Sequence, residues 1–177
     1  MKIINMLPTI NKECSDFLNK SNNLLLLKSL PKDKEGFRKV KVRQRNIKEI
    51  FQNIFDKGLY NSKSITPRSV QAIGENGYSD PQNDNLEPFY IFPINGFKYF
   101  YNPIVKNSQE QYSKLINKSL NIIDRDTIID MFSESIKESY VSDNLYNGIA
   151  QGAEIIIYNI PYFYAIRKTV FDDLKQD

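Results

Sequence analysis

The sequence predicts a single α+β domain, residues 1–177, with a mainly antiparallel sheet and amphipathic helices. Three observations support this class. Apolar residues recur at helical spacing in four segments, short apolar runs elsewhere have the length of strands, and Asn95-Gly96 is the preferred sequence of a two-residue hairpin turn. Hydrophobic residues make up 41% of the chain and aromatic residues 12%. A chain of 177 residues with this composition can fill one sizeable core.

Four amphipathic helices are predicted from the spacing of apolar residues. They run from Ile10 to Lys20, from Asn46 to Gly58, from Ser108 onward and from near Asp126 onward. The predicted core stripes are Ile10, Cys14, Phe17 and Leu18; Ile47, Ile50, Phe51, Ile54 and Phe55; Tyr112, Leu115, Ile116 and Leu120; and Ile128, Ile129, Phe132 and Ile136.

Strand signals lie between these helices. Leu24 to Leu27 is a continuous apolar run suited to a buried strand. Residues 89–94 and 97–101 flank Asn95-Gly96, so we predict that they pair as a hairpin. Pro93 predicts that its strand lies at an edge or ends early, because proline has no N–H to donate to a sheet.

A second strand pair is predicted from residues 154–158 and 162–166. Residues 58–88 are rich in Gly, Pro, Ser, Asn and Asp and are predicted to form one long loop. Loops of this length inside a compact domain are usually functional or mobile.

The chain has no histidine and one cysteine. The absence of histidine excludes Ser-His and Cys-His nucleophile activation, His-based acid–base relays and HExxH zinc sites. The single Cys14 excludes a disulfide within the chain, suits a reducing compartment and is predicted to be a small core residue. Any chemistry therefore rests on carboxylates, Lys, Arg, Tyr, Ser or Thr, and no metal site is predicted.

No apolar run reaches the roughly 18 residues that a membrane-spanning helix needs. The first ten residues, MKIINMLPTI, contain an apolar run too short for the core of a signal peptide. We therefore expect an intracellular protein that is neither exported nor bound to a membrane.

Positive charge is concentrated in the first third of the chain, where residues 1–60 hold 13 Lys and Arg against 6 Asp and Glu. Much of the excess comes from Lys32, Lys34, Arg38, Lys39, Lys41, Arg43 and Arg45. Such a run can bind phosphates or nucleic acid. The alternative is a solvated face of a strand or loop.

Glu154 is the most suggestive candidate for catalysis. It opens the apolar run GAEIIIY, where a carboxylate is unusual unless it is exposed or employed. A glutamate there can accept a hydrogen bond from a sugar hydroxyl and stabilise positive charge that develops at an anomeric carbon. The alternative is a solvent-facing residue at a strand end.

Three further polar features have simpler structural explanations. Ser133-Glu134-Ser135 falls within the fourth helix and is predicted to be a solvated helix face. Asp124 and Asp126 can pair as metal ligands, but helix capping also explains them. Gly74 and Gly77 do not form a glycine-rich phosphate loop.

Taken in order, several segments resemble a family of phage-encoded proteins with an ADP-ribosyltransferase-like fold. The resemblance covers about residues 24–170 and leaves residues 1–23 as an N-terminal helical extension. The segments that carry it are LLLLKSL (24–30), VRQR (42–45), PRSVQAI (67–73), FYIFPINGFKYFYNPIVKNS (89–108) and GAEIIIYNIPYFYAI (152–166).

The resemblance implies NAD as a substrate and a set of site residues. In the family an Arg on the first strand holds the NAD phosphates, and the matching position here is Lys28, followed by Ser29 instead of Gly. A central Ser/Thr element supports the nicotinamide side, which corresponds to Arg68-Ser69 with Arg68 at the phosphates. A late glutamate stabilises the oxocarbenium-like ribose, which corresponds to Glu154.

Two departures bear on activity. Lysine neutralises a phosphate as a point charge but lacks the two-pronged geometry of arginine. Gly152 stands where many transferases place a second Glu or Gln that directs the acceptor, and Gln151 is one residue further away.

Three functions follow. The first is transfer of ADP-ribose from NAD to a host protein or nucleic acid, in the host cytoplasm. The second is a catalytically inactive virion component, or a module that binds another phage protein on the same scaffold. The third is a small nucleic-acid-binding protein that uses the basic run between Lys32 and Arg45.

Overall fold

The computed structural model describes residues 8–60 and 68–175. Within them lie seven α-helices: α1 (Pro8–Glu13), α2 (Ser15–Lys20), α3 (Glu49–Phe55), α4 (Ser108–Leu120), α5 (Arg125–Ser139), α6 (Leu145–Ala150) and α7 (Lys168–Lys175). The strands are β1 (Leu26–Pro31), β2 (Phe37–Lys41), β3 (Val70–Gly74), β4 (Leu86–Pro93), β5 (Lys98–Tyr101), β6 (Glu154–Tyr158) and β7 (Tyr162–Arg167). No helix of this described part is both long and apolar enough to cross a bilayer.

All seven strands join one antiparallel sheet in the order β2-β7-β4-β1-β3-β6-β5. The α+β class with an antiparallel sheet is therefore confirmed. Strand β1 lies at the centre, between β4 and β3. Because β3 is followed along the sheet by β6, residues from the beginning, middle and end of the chain lie on neighbouring strands.

Two apolar clusters hold the domain together. The larger one joins α1, α2 and α7 to the central strands and includes Ile10, Phe17, Phe92 and Phe171. The smaller one packs α3, α4 and α5 against one face of β6 at Ile156. Burial of this apolar surface is the main favourable contribution to folding.

Most predicted helical stripes are confirmed, but helix ends differ. The predicted first helix is two helices separated at Cys14, which is fully buried in the core as expected. The second begins at Glu49 instead of Asn46 and continues past Gly58 into a π-helical turn, Asp56–Tyr60. A Cβ at Gly58 would lie 2.8 Å from the Ser133 carbonyl oxygen, so this glycine allows close packing on α5 instead of ending the helix.

The third and fourth helices begin close to their predicted positions. Asn107 caps α4 by accepting from the Glu110 N–H, and Asp124 caps α5 by accepting from the Thr127 N–H. Two residues of the predicted stripe on α4 are not core, since Leu115 is 44% exposed and Leu120 is 41% exposed.

The hairpin predicted around Asn95-Gly96 is wrong. Strand β4 lies in the sheet interior between β1 and β7, whereas β5 pairs with β6. Asn95 binds the α1–α2 junction instead: its N–H donates to the Glu13 carbonyl at 2.7 Å, and its side-chain oxygen accepts from the Asp16 N–H at 2.9 Å. Pro93 does not mark an edge strand but is the last residue of this interior strand.

The second predicted strand pair is also wrong, although both strands exist. Strand β6 lies between β3 and β5, and β7 lies between β2 and β4. Asn159 between them has a left-handed backbone, with φ +68, and its side-chain amide donates to the Gly96 carbonyl. The short connection therefore crosses from one half of the sheet to the other.

The long loop predicted at residues 58–88 contains β3 and the start of β4. Residues 61–67 of this loop lie outside the described residues. The strand VQAIG was hidden because its alternation of apolar and polar residues is short and its flanks are rich in turn-forming residues.

Candidate functional site

The ladder between β1 and β3 stops early. Strand β1 pairs with β4 at six positions but with β3 only at Leu26↔Gly74 and Leu27↔Ile73. Beyond Leu27, the Lys28 ammonium donates to the Gln71 carbonyl oxygen at 3.0 Å. A side chain thus satisfies a backbone acceptor where the ladder ends.

A cavity of about 210 Å³ opens at this point, which we call the β1–β3 cleft. Its polar lining consists of Lys28, Ser29, Gln71, Tyr78, Lys106 and Glu154. The Ser29 hydroxyl lies 2.7 Å from the Tyr78 hydroxyl, so the turn after β3 closes one side of the cleft.

The Lys28 ammonium is buried, and burial disfavours its charged form. Burial lowers the pKa of the Lys28 ammonium to about 8, and the positive charge of Arg45 adds to this effect. The negative charge of Glu154 acts in the opposite direction. Lys28 is therefore a cation that releases its proton far more readily than an exposed lysine.

Glu154 is the first residue of β6, and its carboxylate lies at the N-terminus of the 13-residue helix α4. The Ser108 N–H donates to both carboxylate oxygens, at 3.3 and 3.4 Å. A helix N-terminus favours a negative charge. Burial raises the pKa of Glu154, while the bonds from Ser108 and the charges of Arg45 and Lys28 oppose that rise.

Arg45 reaches the same region from the segment between β2 and α3. Its guanidinium donates to the Ser69 hydroxyl at 3.3 Å, and the Gln71 side-chain amide donates to the same oxygen at 3.1 Å. Ser69 is buried, with 2% of its surface exposed. Burial lowers the pKa of Arg45, and the charge of Glu154 counteracts this.

Two further cavities adjoin the cleft. One of about 190 Å³ lies between Arg45, Gln71, Ser108 and Glu154. The other, of about 670 Å³, extends from Lys28, Arg45 and Ser69 towards β2 at the edge of the sheet. Lys28, Arg45, Gln71 and Glu154 each line two of the three cavities, so these four residues form the centre of the candidate site.

No protein-family model, curated protein or solved structure matches this chain. Function therefore has to be inferred from the chemistry of this cleft.

The structure brings together four of the five site residues predicted from the sequence. Lys28 and Glu154 line the same cleft, and Ser69 lies beside Lys28 in the adjoining cavity. Ser29 also lines the cleft. Arg68 is exposed next to Ser69 and is not part of the lining of the three cavities.

Arg45, Gln71 and Ser108 were not predicted as site residues. In the sequence, Arg45 is only the last member of the basic run and of the VRQR segment, because its approach to Ser69 depends on the path of residues 42–48. Gln71 interrupts the apolar residues of β3, and this was an available signal for a polar cleft. Ser108 contributes a backbone N–H, which no residue pattern reveals.

The backbone conformation at position 152 favours glycine. Its φ of +75 is a left-handed conformation, and a Cβ would lie 3.2 Å from the Gly77 backbone nitrogen. A glutamate or glutamine at this position would therefore be strained. Gln151 is exposed where α6 ends.

The basic run divides into fixed and exposed cations. Arg38 pairs with Asp33 at 3.3 Å and lies over the Phe89 ring. The Lys39 ammonium lies over the Tyr162 ring. The exposed cations are Lys32, Lys34, Lys39, Lys41 and Arg43. Nucleic-acid binding by this run stays a prediction.

The remaining candidates have structural roles. Asp124 caps α5, and among the described residues no group of three His, Cys, Asp or Glu is placed to hold a metal ion. The prediction of a solvated face at residues 133–135 is wrong for Ser133, which is buried and donates to the Ile129 carbonyl. Such a bond to the preceding turn satisfies the hydroxyl inside the helix packing.

Proposed function

We propose that the β1–β3 cleft binds NAD and that the chain transfers ADP-ribose from NAD to a host macromolecule. One observation carries this proposal. Lys28 on β1, Ser69 immediately before β3 and Glu154 at the start of β6 are far apart in sequence, but they lie around cavities that share lining residues. A convergence of this kind is what a site needs, whereas fold similarity alone would not support a function.

Glu154 would act as the catalytic carboxylate. When the bond between C1′ of the ribose and the nicotinamide nitrogen breaks, nicotinamide leaves with the bonding electron pair, and positive charge develops at C1′. An ionised carboxylate that accepts a hydrogen bond from the ribose hydroxyl stabilises this charge. The acceptor then attacks C1′ and loses its proton to solvent.

Arg45 compensates for the lysine on the first strand. Its guanidinium has the planar geometry that binds phosphate with two parallel bonds, and Ser69 holds it in place. Together Lys28 and Arg45 match the two negative charges of the NAD pyrophosphate.

The same structure supports a second candidate, an inactive interaction module on this scaffold. Glu154 already serves to hold β6 to α4 through the Ser108 N–H, which is a structural role in itself. Gly152 also leaves no acceptor-directing side chain at its position. The two candidates differ in whether NAD binds and turns over.

The test compares the wild-type chain with Glu154→Gln by calorimetry with millimolar NAD and by nicotinamide release. Gln keeps an oxygen that accepts from the Ser108 N–H, so we expect the melting temperature to change little. We expect nicotinamide release to fall at least about 100-fold, the usual effect of removing one electrostatic stabiliser. Because burial raises the pKa of Glu154, activity should rise with pH through a midpoint above 4.5.

Glu134→Gln is the matched control, because Glu134 is exposed on α5 and is not part of the lining of the three cavities. It should release nicotinamide at the wild-type rate. Full activity in Glu154→Gln would refute the catalytic assignment. If the wild-type chain binds no NAD at millimolar concentration, the inactive module is the correct candidate.

A further inference from the structure

The largest of the three cavities is more cationic than NAD requires. This cavity of about 670 Å³, which we call the cationic groove, is lined by six cations: Lys28, Arg38, Lys39, Lys41, Arg43 and Arg45. No Asp or Glu is part of its lining. The NAD pyrophosphate brings two negative charges, which Lys28 and Arg45 match. Arg38 is paired with Asp33 and Lys39 lies over the Tyr162 ring, so the remaining exposed cations, Lys41 and Arg43, indicate a longer anion.

The cations follow the edge of the sheet outwards from the cleft. Lys41 and Arg43 are exposed and lie on or just after β2, the strand at the sheet edge. Alternate residues of an extended chain are about 6.6 Å apart, so the two charges form a row instead of a point. A row of charges beside a groove suits a phosphate backbone that runs along it.

The floor of the groove is apolar. Leu30, Val40, Val42 and Phe163 line it, and along the chain the two valines alternate with Lys39, Lys41 and Arg43. An acidic peptide would place carboxylates over this floor without partners, whereas the flat faces of unpaired bases pack well on apolar and aromatic side chains. Paired bases in a duplex cannot present these faces, so a single strand fits better.

We propose that the cationic groove binds a single-stranded nucleic acid and presents it to the β1–β3 cleft as the acceptor of ADP-ribose. The acceptor role rests on the proposed function, whereas binding does not. In the transfer, a nucleophilic nitrogen or oxygen of the strand forms a bond to C1′ of the ribose. The bond from C1′ to nicotinamide breaks, nicotinamide keeps the electron pair, and the strand loses a proton to solvent.

Binding is tested without NAD, by fluorescence anisotropy of labelled single-stranded RNA and DNA oligonucleotides at several salt concentrations. The logarithm of affinity should fall with the logarithm of salt with a slope of about −0.7 for each phosphate contact. We expect Lys41→Glu/Arg43→Glu to weaken binding at least about tenfold and to reduce the slope by the two lost contacts.

The control is Lys98→Glu/Lys114→Glu, which changes the net charge equally. Lys98 is exposed on β5 at the opposite edge of the sheet, and Lys114 is exposed on α4. This variant should bind the oligonucleotide as the wild-type chain does. Equal weakening in both variants would mean a general charge effect and would overturn the groove as the site.

Two competitions decide what occupies the groove. Displacement of the oligonucleotide by poly-glutamate at equal charge concentration would refute nucleic acid as the ligand of the groove and would indicate an acidic protein instead. Displacement by saturating NAD would mean that the groove belongs to the adenosine end of NAD. We expect neither competitor to displace the strand.

Transfer is then followed with NAD labelled in its adenosine half and the oligonucleotide as acceptor. We expect label on the strand, which is lost in Glu154→Gln and is reduced in Lys41→Glu/Arg43→Glu, while NAD binding by the latter is unchanged. A protein that releases nicotinamide but leaves the bound strand unlabelled would refute the acceptor role alone. A protein that binds the strand but no NAD would refute the proposed function, and with it the acceptor role, but not the binding of the strand.

Discussion

Strand β1 has different environments on its two sides. On one side it pairs with β4 at six consecutive positions, next to the fully buried Phe89 and Ile91. On the other it pairs with β3 at two positions and then faces Gln71 and a polar cavity. One strand thus contributes both to the packed interior and to the candidate site.

This difference shows how an antiparallel sheet can contain a site without an exposed edge. Where the ladder to β3 stops, backbone groups need other partners, and the Lys28 side chain provides one. The firm pairing with β4 holds Lys28 in place, because its backbone bonds are made on that side. Rigid elements position functional groups more accurately than loops do.

The largest difference between the two sides is expected for stability. Ile91→Ala, on the β4 side, removes a fully buried side chain and should lower the free energy of unfolding by about 3 kcal/mol. Ser29→Ala, on the cleft side, removes only the contact with Tyr78 and should cost about 1 kcal/mol or less. Urea unfolding monitored by circular dichroism measures both. Equal losses of free energy of unfolding in the two variants would contradict the difference between the packed side and the cleft side of β1.

A smaller effect is expected within the cleft itself. Ser69→Ala removes the oxygen that accepts from both Arg45 and Gln71, and buried donors that lose their acceptor are costly. We expect a loss of about 1 to 2 kcal/mol in the free energy of unfolding, together with weaker NAD binding because Arg45 is no longer held. Ser135→Ala, at an exposed position of α5, should change neither.

The helices could be predicted because their signal is local. Ile50, Phe51, Ile54 and Phe55 follow the helical period, and all four are buried on one face of α3. Strand pairing is not local. Asn95-Gly96 has the residues of a tight turn, yet the bonds of Asn95 to α1 and α2, almost eighty residues earlier, decide where the strands go.

The site was predictable only in part for the same reason. Glu154 stood out because a carboxylate begins an apolar strand, and Lys28 and Ser69 followed from the resemblance. Arg45 reaches Ser69 across a separation of 24 residues, with an edge strand before it and a helix after it. Nothing in the run of basic residues distinguishes the one that turns inward from those that stay exposed.

The smallest expected effect is a pH dependence of the free energy of unfolding that arises from Lys28. Its pKa is about 8 in the folded protein and 10.5 in an unfolded chain, so between these values the unfolded state binds more protons. The free energy of unfolding should therefore rise with pH in this window, by on the order of 1 kcal/mol after allowance for solvent screening. Lys28→Met should lack this rise, and the difference between the two chains removes the contribution of the tyrosines, which titrate in both. Parallel stability curves from pH 7.5 to pH 10 would show that Lys28 is solvated like a surface lysine, and the β1–β3 cleft would then be more open than its contacts indicate.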